Sequence, residues 1–462
     1  MSESSDITFH ETLGRSMGPR RLPDDILHLI FRLVLFVPEV HDLRMRSPLD
    51  SSELMSNSRT IEDVLSAEEN MASLLVVSTS LDWQLTILPY KYMLLYLAQD
   101  SSWHMLAKIV SHSKSIGFPR PPGVAFYVRR LELCTAIWTS EQRASAISLL
   151  KACTRIAILT VGSNMYGMRG TSIPECIVRV LFSRTSASLQ VLRFLSPLDP
   201  RSVRRFLLRL HRLKNLGALT IRFRGFYSSG LGARSISLPN FQSLEIISPN
   251  PSDFLWTMRF WSLPSLRHLS LRLVDMEVVE LLKLSVFLGV HGPNLEILEV
   301  DSLSFKINEL LGVCSNLSDL IVDIRSLSPS AFDGHPSIRR VGLRGFYPVR
   351  EDLIFRSHVI ACFNIYLPTL LDKNLFPELH TVRLVDLDRY HFHEYNWRRR
   401  EAKEWANWIR RMREHGVRFE DHDGRPLFDD LPKERLVLGI FYDHEIYFIF
   451  ILLEVLLAFN FY

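Results

Sequence analysis

The sequence is short of cysteine, of net charge and of long apolar runs, and it holds no catalytic signature. Its five cysteines, Cys134, Cys153, Cys176, Cys314 and Cys362, are widely spaced and odd in number. They make neither a disulfide framework nor a C-x-x-C zinc pattern, and fit a reducing cytoplasmic or nuclear setting. Lys and Arg total 54 against 50 Asp and Glu, a formal charge of +4 over 462 residues. That excess is too small to imply a nucleic-acid or anionic-membrane partner. Met1 to Arg20 is polar and lacks the apolar core of about 7–15 residues that a secretory signal needs. The sequon Asn316-Leu317-Ser318 is therefore expected to carry no sugar. The longest apolar run, Ile446 to Tyr462, is interrupted by Glu454 and Asn460. It falls short of the roughly 20 residues that span a bilayer, so a packed terminal element is expected there rather than an anchor.

Motifs for catalysis are missing as well. Gly162 to Gly170 (GSNMYGMRG) sits where a phosphate loop would, but no Lys-Ser/Thr follows to reach the phosphates or hold Mg²⁺, so it reads as a turn between elements. His391-Phe392-His393-Glu394 lacks a third ligand set and reads as surface loop rather than a metal site. No G-x-S-x-G elbow occurs, and no cysteine lies in a nucleophile signature. We therefore expect no enzyme, cofactor or metal.

What is abundant is apolar sequence, 47% of residues, enough for a large core and too much for wholesale disorder. It is arranged as a repeat. The pattern apolar-x-x-apolar-x-apolar occurs at Val128/Leu131/Leu133, Ile156/Leu159/Val161, Leu189/Leu192/Phe194, Leu216/Leu219/Ile221 and Phe241/Leu244/Ile246. It continues at Leu266/Leu269/Leu271, Leu295/Leu298/Val300, Leu317/Leu320/Val322, Ile338/Val341/Leu343 and Leu379/Val382/Leu384. The mean spacing is about 28 residues, inside the roughly 20–29 of leucine-rich repeats. Six units open on a shared phrase, as in Leu213-Lys214-Asn215-Leu216, Leu238-Pro239-Asn240-Phe241 and His335-Pro336-Ser337-Ile338. Pro with Asn or Ser ahead of alternating apolar residues is turn chemistry feeding a strand, with Asn or Ser bonding its own backbone. Helical stripes lie between, such as Val203, Phe206, Leu207, Leu210 and Leu213 within 201–213, and the segment 277–289. Strand then helix, repeated, predicts an α/β solenoid with a parallel inner sheet and outer helices.

Ahead of the repeats, Arg21 to Leu33 (RLPDDILHLIFRL) reads as a helix, with Pro23 in the first turn and Asp24 and Asp25 at its positive end. Leu22, Pro23, Ile26, Leu27, Ile30 and Phe31, followed by Leu74, Val77, Ser78 and Trp83, resemble an F-box. About 30 residues, Glu39 to Asn70, separate the two halves. An F-box ahead of degenerate leucine-rich repeats resembles the F-box-like proteins abundant in mushroom-forming fungi. The phrases Leu88-Pro89-Tyr90-Lys91-Tyr92 and Gly416 to Arg425 (GVRFEDHDGR) add to that resemblance.

The resemblance implies a substrate-recognition subunit of a cullin-RING (SCF-type) ubiquitin ligase. It would bind the Skp adaptor through Leu22, Pro23, Ile26, Leu27, Ile30, Phe31, Val77 and Trp83, an apolar helix face laid in a groove. A protein substrate would meet the inner strand face, where alternation exposes Arg222, Glu245, Arg272, Glu299 and Asp319, with Thr220, Ser270 and Asp323 beside them. The expected organisation is a disordered 1–20, a helical module over 21–100 with its insertion at 39–70, and a solenoid over 101–395. A capping helix and tail over 396–430 and an apolar segment over 431–462 follow. Within 396–430, Trp397 to His415 carries seven Lys/Arg against three Glu, with Ala402, Trp405, Ile409 and Met412 on one stripe. We expect it to cover the solenoid end rather than to bind RNA or a membrane. The alternatives are a repeat scaffold without ligase association, or a scaffold held at a membrane by the C-terminal segment.

Overall fold

The computed structural model describes residues 94–97, 103–110 in part, 124–162 except 136, 172–224, 235–272, 281–301, 311–324, 334–345, 353–386 and 399–427. They contain a 12-stranded sheet in which order in space equals order in sequence. Its strands are β1 (Leu94–Leu97), β2 (Arg130–Leu133), β3 (Ile158–Val161), β4 (Val191–Leu198), β5 (Ala218–Phe223) and β6 (Ser243–Ile247). The sheet continues through β7 (His268–Arg272), β8 (Ile297–Val300), β9 (Asp319–Asp323), β10 (Arg340–Arg344), β11 (Thr381–Leu384) and β12 (Arg418–Glu420). Every pairing is parallel. A doubly wound sheet would reverse strand order at a switch point; here none exists, and the chain advances one strand at a time as a leucine-rich-repeat-like solenoid does.

The ten sequence units map onto β2 to β11 in one register. Leu131, Leu159, Leu192, Leu219, Leu244, Leu269, Leu298, Leu320, Val341 and Val382 are successive partners. All are buried at 2% exposure or less. Each such side chain contributes about 1.5–3 kcal/mol on burial, which is why a slip by one residue is not tolerated. The sheet runs past both boundaries expected for the solenoid, since β1 precedes residue 101 and β12 follows residue 395. β12 is three residues long with one apolar side chain, so pairing to its neighbour is what reveals it, whereas β1 (LLYL) is apolar throughout and lies inside the module expected ahead of the repeats.

Helices fill the gaps: α1 (Ser140–Ala152), α2 (Glu175–Arg184), α3 (Pro200–Arg209), α4 (Ser252–Met258), α5 (Leu281–His291), α6 (Leu353–Leu371) and α7 (Arg399–Glu414). Their starts are locally encoded. Thr139 and Gln142 close a capping box on α1, and Asp199 accepts from the Ser202 amide ahead of Pro200 on α3. The predicted stripe Val203, Phe206, Leu207, Leu210 and Leu213 is wholly buried. Phe206 meets Phe194 of β4 edge-on at 5.4 Å, and Phe254 of α4 meets Phe223 of β5 at 5.3 Å.

The shared turn phrase does something other than expected. In most units its Asn or Ser reaches back one repeat, and Ser337 does so while also meeting His335 of its own turn. Asn215 Nδ2 donates to Ala187 O at 2.7 Å, Ser265 Oγ to Pro239 O at 2.6 Å, Asn316 Nδ2 to Pro293 O at 2.6 Å and Ser337 Oγ to Ser315 O at 3.1 Å. Stacked turns leave backbone carbonyls that local strand pairing cannot satisfy, and this ladder satisfies them.

At the far end, α7 presents Trp405, Trp408 and Met412 to the interior, each at 2% exposure or less. Trp408 lies 4.3 Å from Phe363 of α6, and Trp405 stacks on Phe419 of β12 at 6.0 Å. The stripe expected from sequence missed Trp408, whose indole donates to Asn364 Oδ1 at 2.6 Å. After β12 the chain turns through Gly424 (φ +76°), and the Leu427 amide donates back to Phe419 O at 2.9 Å. That return covers an edge which would otherwise expose a row of unpaired amides and carbonyls.

Candidate functional site

Because strand side chains alternate, the residues between the core anchors form a second face, directed away from the Leu and Phe core. Its middle row runs Glu132, Thr160, Arg193, Thr220, Glu245, Ser270, Glu299, Ile321, Gly342, Arg383 and Glu420. Five predicted contact residues, Arg222, Glu245, Arg272, Glu299 and Asp319, all lie on this face, as the alternation required.

The face is not uniformly available to a partner. Between β6 and β10 its charges are engaged with one another. Arg272 Nε sits 2.9 Å from Glu245 Oε1 and 3.3 Å from Glu299 Oε1, and Arg344 bridges Glu299 and Asp301, the latter at 2.9 Å. His268 Nε2 stands 3.8 Å from Glu299, while its Nδ1 meets Ser243 Oγ at 2.9 Å. Glu299 is only 1% exposed. Burial by itself would raise its carboxyl, but Arg344 and then Arg272 override that and hold it well below the usual carboxylate range. Arg344 is pulled the other way: burial lowers it, and Glu299 and Asp301 more than restore it.

Asp319, also 1% exposed, takes two hydrogen bonds from Arg340, from Nε at 2.8 Å and Nη2 at 2.5 Å. Arg383 similarly holds Glu420 on the last two strands, at 3.1 and 2.7 Å. Glu299 and Asp319 are therefore interior ion-pair members of the sheet, not contacts offered to a partner. Alternation reports the face of a residue but not its depth.

Arg222 and the unpredicted Arg193 stand apart from that network, on β5 and β4. Arg222 Nη1 donates to Leu195 O at 3.3 Å and has no carboxylate partner among the described residues. Beneath them Ile158, Val191 and Ala218 form a small apolar cluster on the same face, separate from the main core. Arg193 could have been found from sequence by the register that places it beside Thr220.

Leu22, Pro23, Ile26, Leu27, Ile30, Phe31, Val77 and Trp83 lie outside the described residues, as do His391 to Glu394 and the apolar segment from Ile446. Of the phosphate-loop-like stretch, Gly162 is described. Its φ is +100°, and a Cβ there would stand 2.4 Å from Ser196 N, so it is a close-approach glycine between β3 and β4. Among the described residues no helix is long and apolar enough to cross a membrane.

The fold and this second face define a parallel-sheet α/β repeat protein. No family model matches the chain. No curated protein matches it. Among solved structures it is similar to a crystal structure of a Bacteroides fragilis protein, at 15% identity and a TM-score of 0.34, over 60% of this chain and 68% of that one. A likeness that loose carries no argument about what the chain does.

Proposed function

We propose that the chain is a non-enzymatic substrate receptor of a cullin-RING ligase, with an F-box-like module over 21–100 that docks the Skp adaptor and leucine-rich repeats that bind a protein substrate. The observation that carries this reading is the order of parts. A segment whose sequence pattern, with Leu22-Pro23, Ile26-Leu27 and Ile30-Phe31, predicts an amphipathic helix precedes an array of parallel strands whose alternate side chains form one continuous face. Such an array offers many side chains on a rigid support, which suits protein recognition better than chemistry. The ligase would transfer ubiquitin, so the receptor needs no nucleophile of its own. We place the protein in the cytoplasm or nucleus, where the adaptor works.

The test is co-purification with a Skp-type adaptor, comparing the full chain with the variant L22A/P23A/I26A. Retention by the full chain and loss in the variant is the expected result. If the full chain retains no adaptor, the ligase role is lost and a repeat scaffold takes its place.

A further inference from the structure

We propose that the face over β3 to β5 is a docking site for an extended acidic peptide that carries an aliphatic residue beside an Asp or Glu. This rests on the reading that the sheet face recognises protein, but not on ligase association. Elsewhere on the face arginines are neutralised within the sheet; here two are not. Among the described residues Arg193 makes no ion pair or hydrogen bond, and Arg222 bonds only a backbone carbonyl. The carboxylates flanking them in register are taken. Glu132 accepts from Arg130 Nε at 2.7 Å, and Glu245 holds Arg272 and accepts from Thr220 Oγ1 at 2.8 Å.

A third group points the same way. Thr160 pairs with Arg193 across β3 and β4, is 4% exposed, and its hydroxyl has no hydrogen-bond partner. A buried hydroxyl without a partner beside an uncompensated guanidinium is a donor set awaiting an acceptor. Two residues back along each strand from Thr160, Arg193 and Thr220, about 6.6 Å away, lies a narrow apolar strip of Ile158, Val191 and Ala218, each residue only 5–7% exposed. The strip spans two strand spacings, about 10 Å, the length of three extended residues. Below it a cavity of about 310 Å³ is lined by Val191 and Ala218 and by Gln190, Asn215, Asn240 and Gln242; the Asn215 and Asn240 amides already donate to carbonyls of the preceding repeat, which leaves Gln190 and Gln242 to meet a peptide backbone. Charge, apolar contact and amides in succession match a peptide, whereas two arginines alone are few for a phosphate backbone.

Fluorescence polarisation on the full chain tests this, with three labelled probes: a decapeptide alternating Leu and Glu, its Leu/Lys counterpart, and a ten-nucleotide single-stranded RNA. The Leu/Glu peptide is expected to bind at least tenfold tighter than the other two, and R193E/R222E to erase that preference. R193Q/R222Q reads the same loss should the charge reversal disturb folding, judged by the circular-dichroism melt. Equal binding of the two peptides, no binding of either at 1 mM, an undiminished preference in the variants, or tighter RNA binding each overturns the proposal. The adaptor pull-down separates the two readings. Retained adaptor without a peptide preference sinks this inference alone, and a persisting preference without adaptor sinks the ligase role alone.

Discussion

Replacing Glu299 by glutamine keeps size and shape but removes one charge from the centre of the β6 to β10 network. Arg344, whose side chain is 9% exposed, would keep only Asp301, which is a quarter exposed, and Arg272 would keep Glu245. Breaking a buried pair from one side costs about 3–5 kcal/mol, because the remaining charge stays buried and undercompensated. In a repeat array that loss acts on the neighbouring strands more than on the whole chain, so hydrogen exchange is the suitable assay. At tenfold per 1.4 kcal/mol, backbone amides of β7 to β10 should exchange roughly 10²- to 4 × 10³-fold faster in E299Q, with β2 to β4 little changed. The effect has a definite pH dependence. A carboxyl held below its ordinary value of 4.5 contributes stability that is complete above that pH and is lost as pH falls through the depressed folded value. E299Q and wild type should therefore converge only in strong acid. E299M/R344M should recover most of the loss, since removing both partners leaves Asp301 able to hydrate and Arg272 paired. Less than tenfold acceleration in β8 at pH 7, or no recovery in the double variant, would refute the reasoning.

Two further outcomes test the fold. Gly162→Ala forces a side chain into a positive-φ position against the Ser196 backbone, and should cost at least about 1–3 kcal/mol of stability, read as a lower thermal midpoint. Burial pushes the Cys153 and Cys314 thiols up to about 12. Both should resist a disulfide reagent at pH 8 in the native protein and react on unfolding; rapid native reaction at either would contradict their burial. Because an unfolded thiol ionises near 9.0, the unfolded state sheds protons first, and stability should fall as pH rises from 9 toward 12.

The sequence by itself determined the repeat, its ten anchors and their common face. A buried leucine every repeat and a period-two partner leave a signal that survives irregular spacing. It also located the stripe of α3 and the starts of α1 and α3, since caps and amphipathic faces are short-range effects. Tertiary structure decided what depends on neighbours. Only pairing reveals β12, and only stacking sends Asn215 and Asn316 to the preceding turn instead of their own. The same holds at the candidate site. Alternation put Glu299, Asp319 and Arg222 on one face, yet two of them are interior ion-pair members and the third stands beside the uncompensated Arg193. Whether a charge is offered to a partner depends on which opposite charge the adjacent repeat brings within about 4 Å, and residues some 25 positions apart in sequence carry no local mark of that distance.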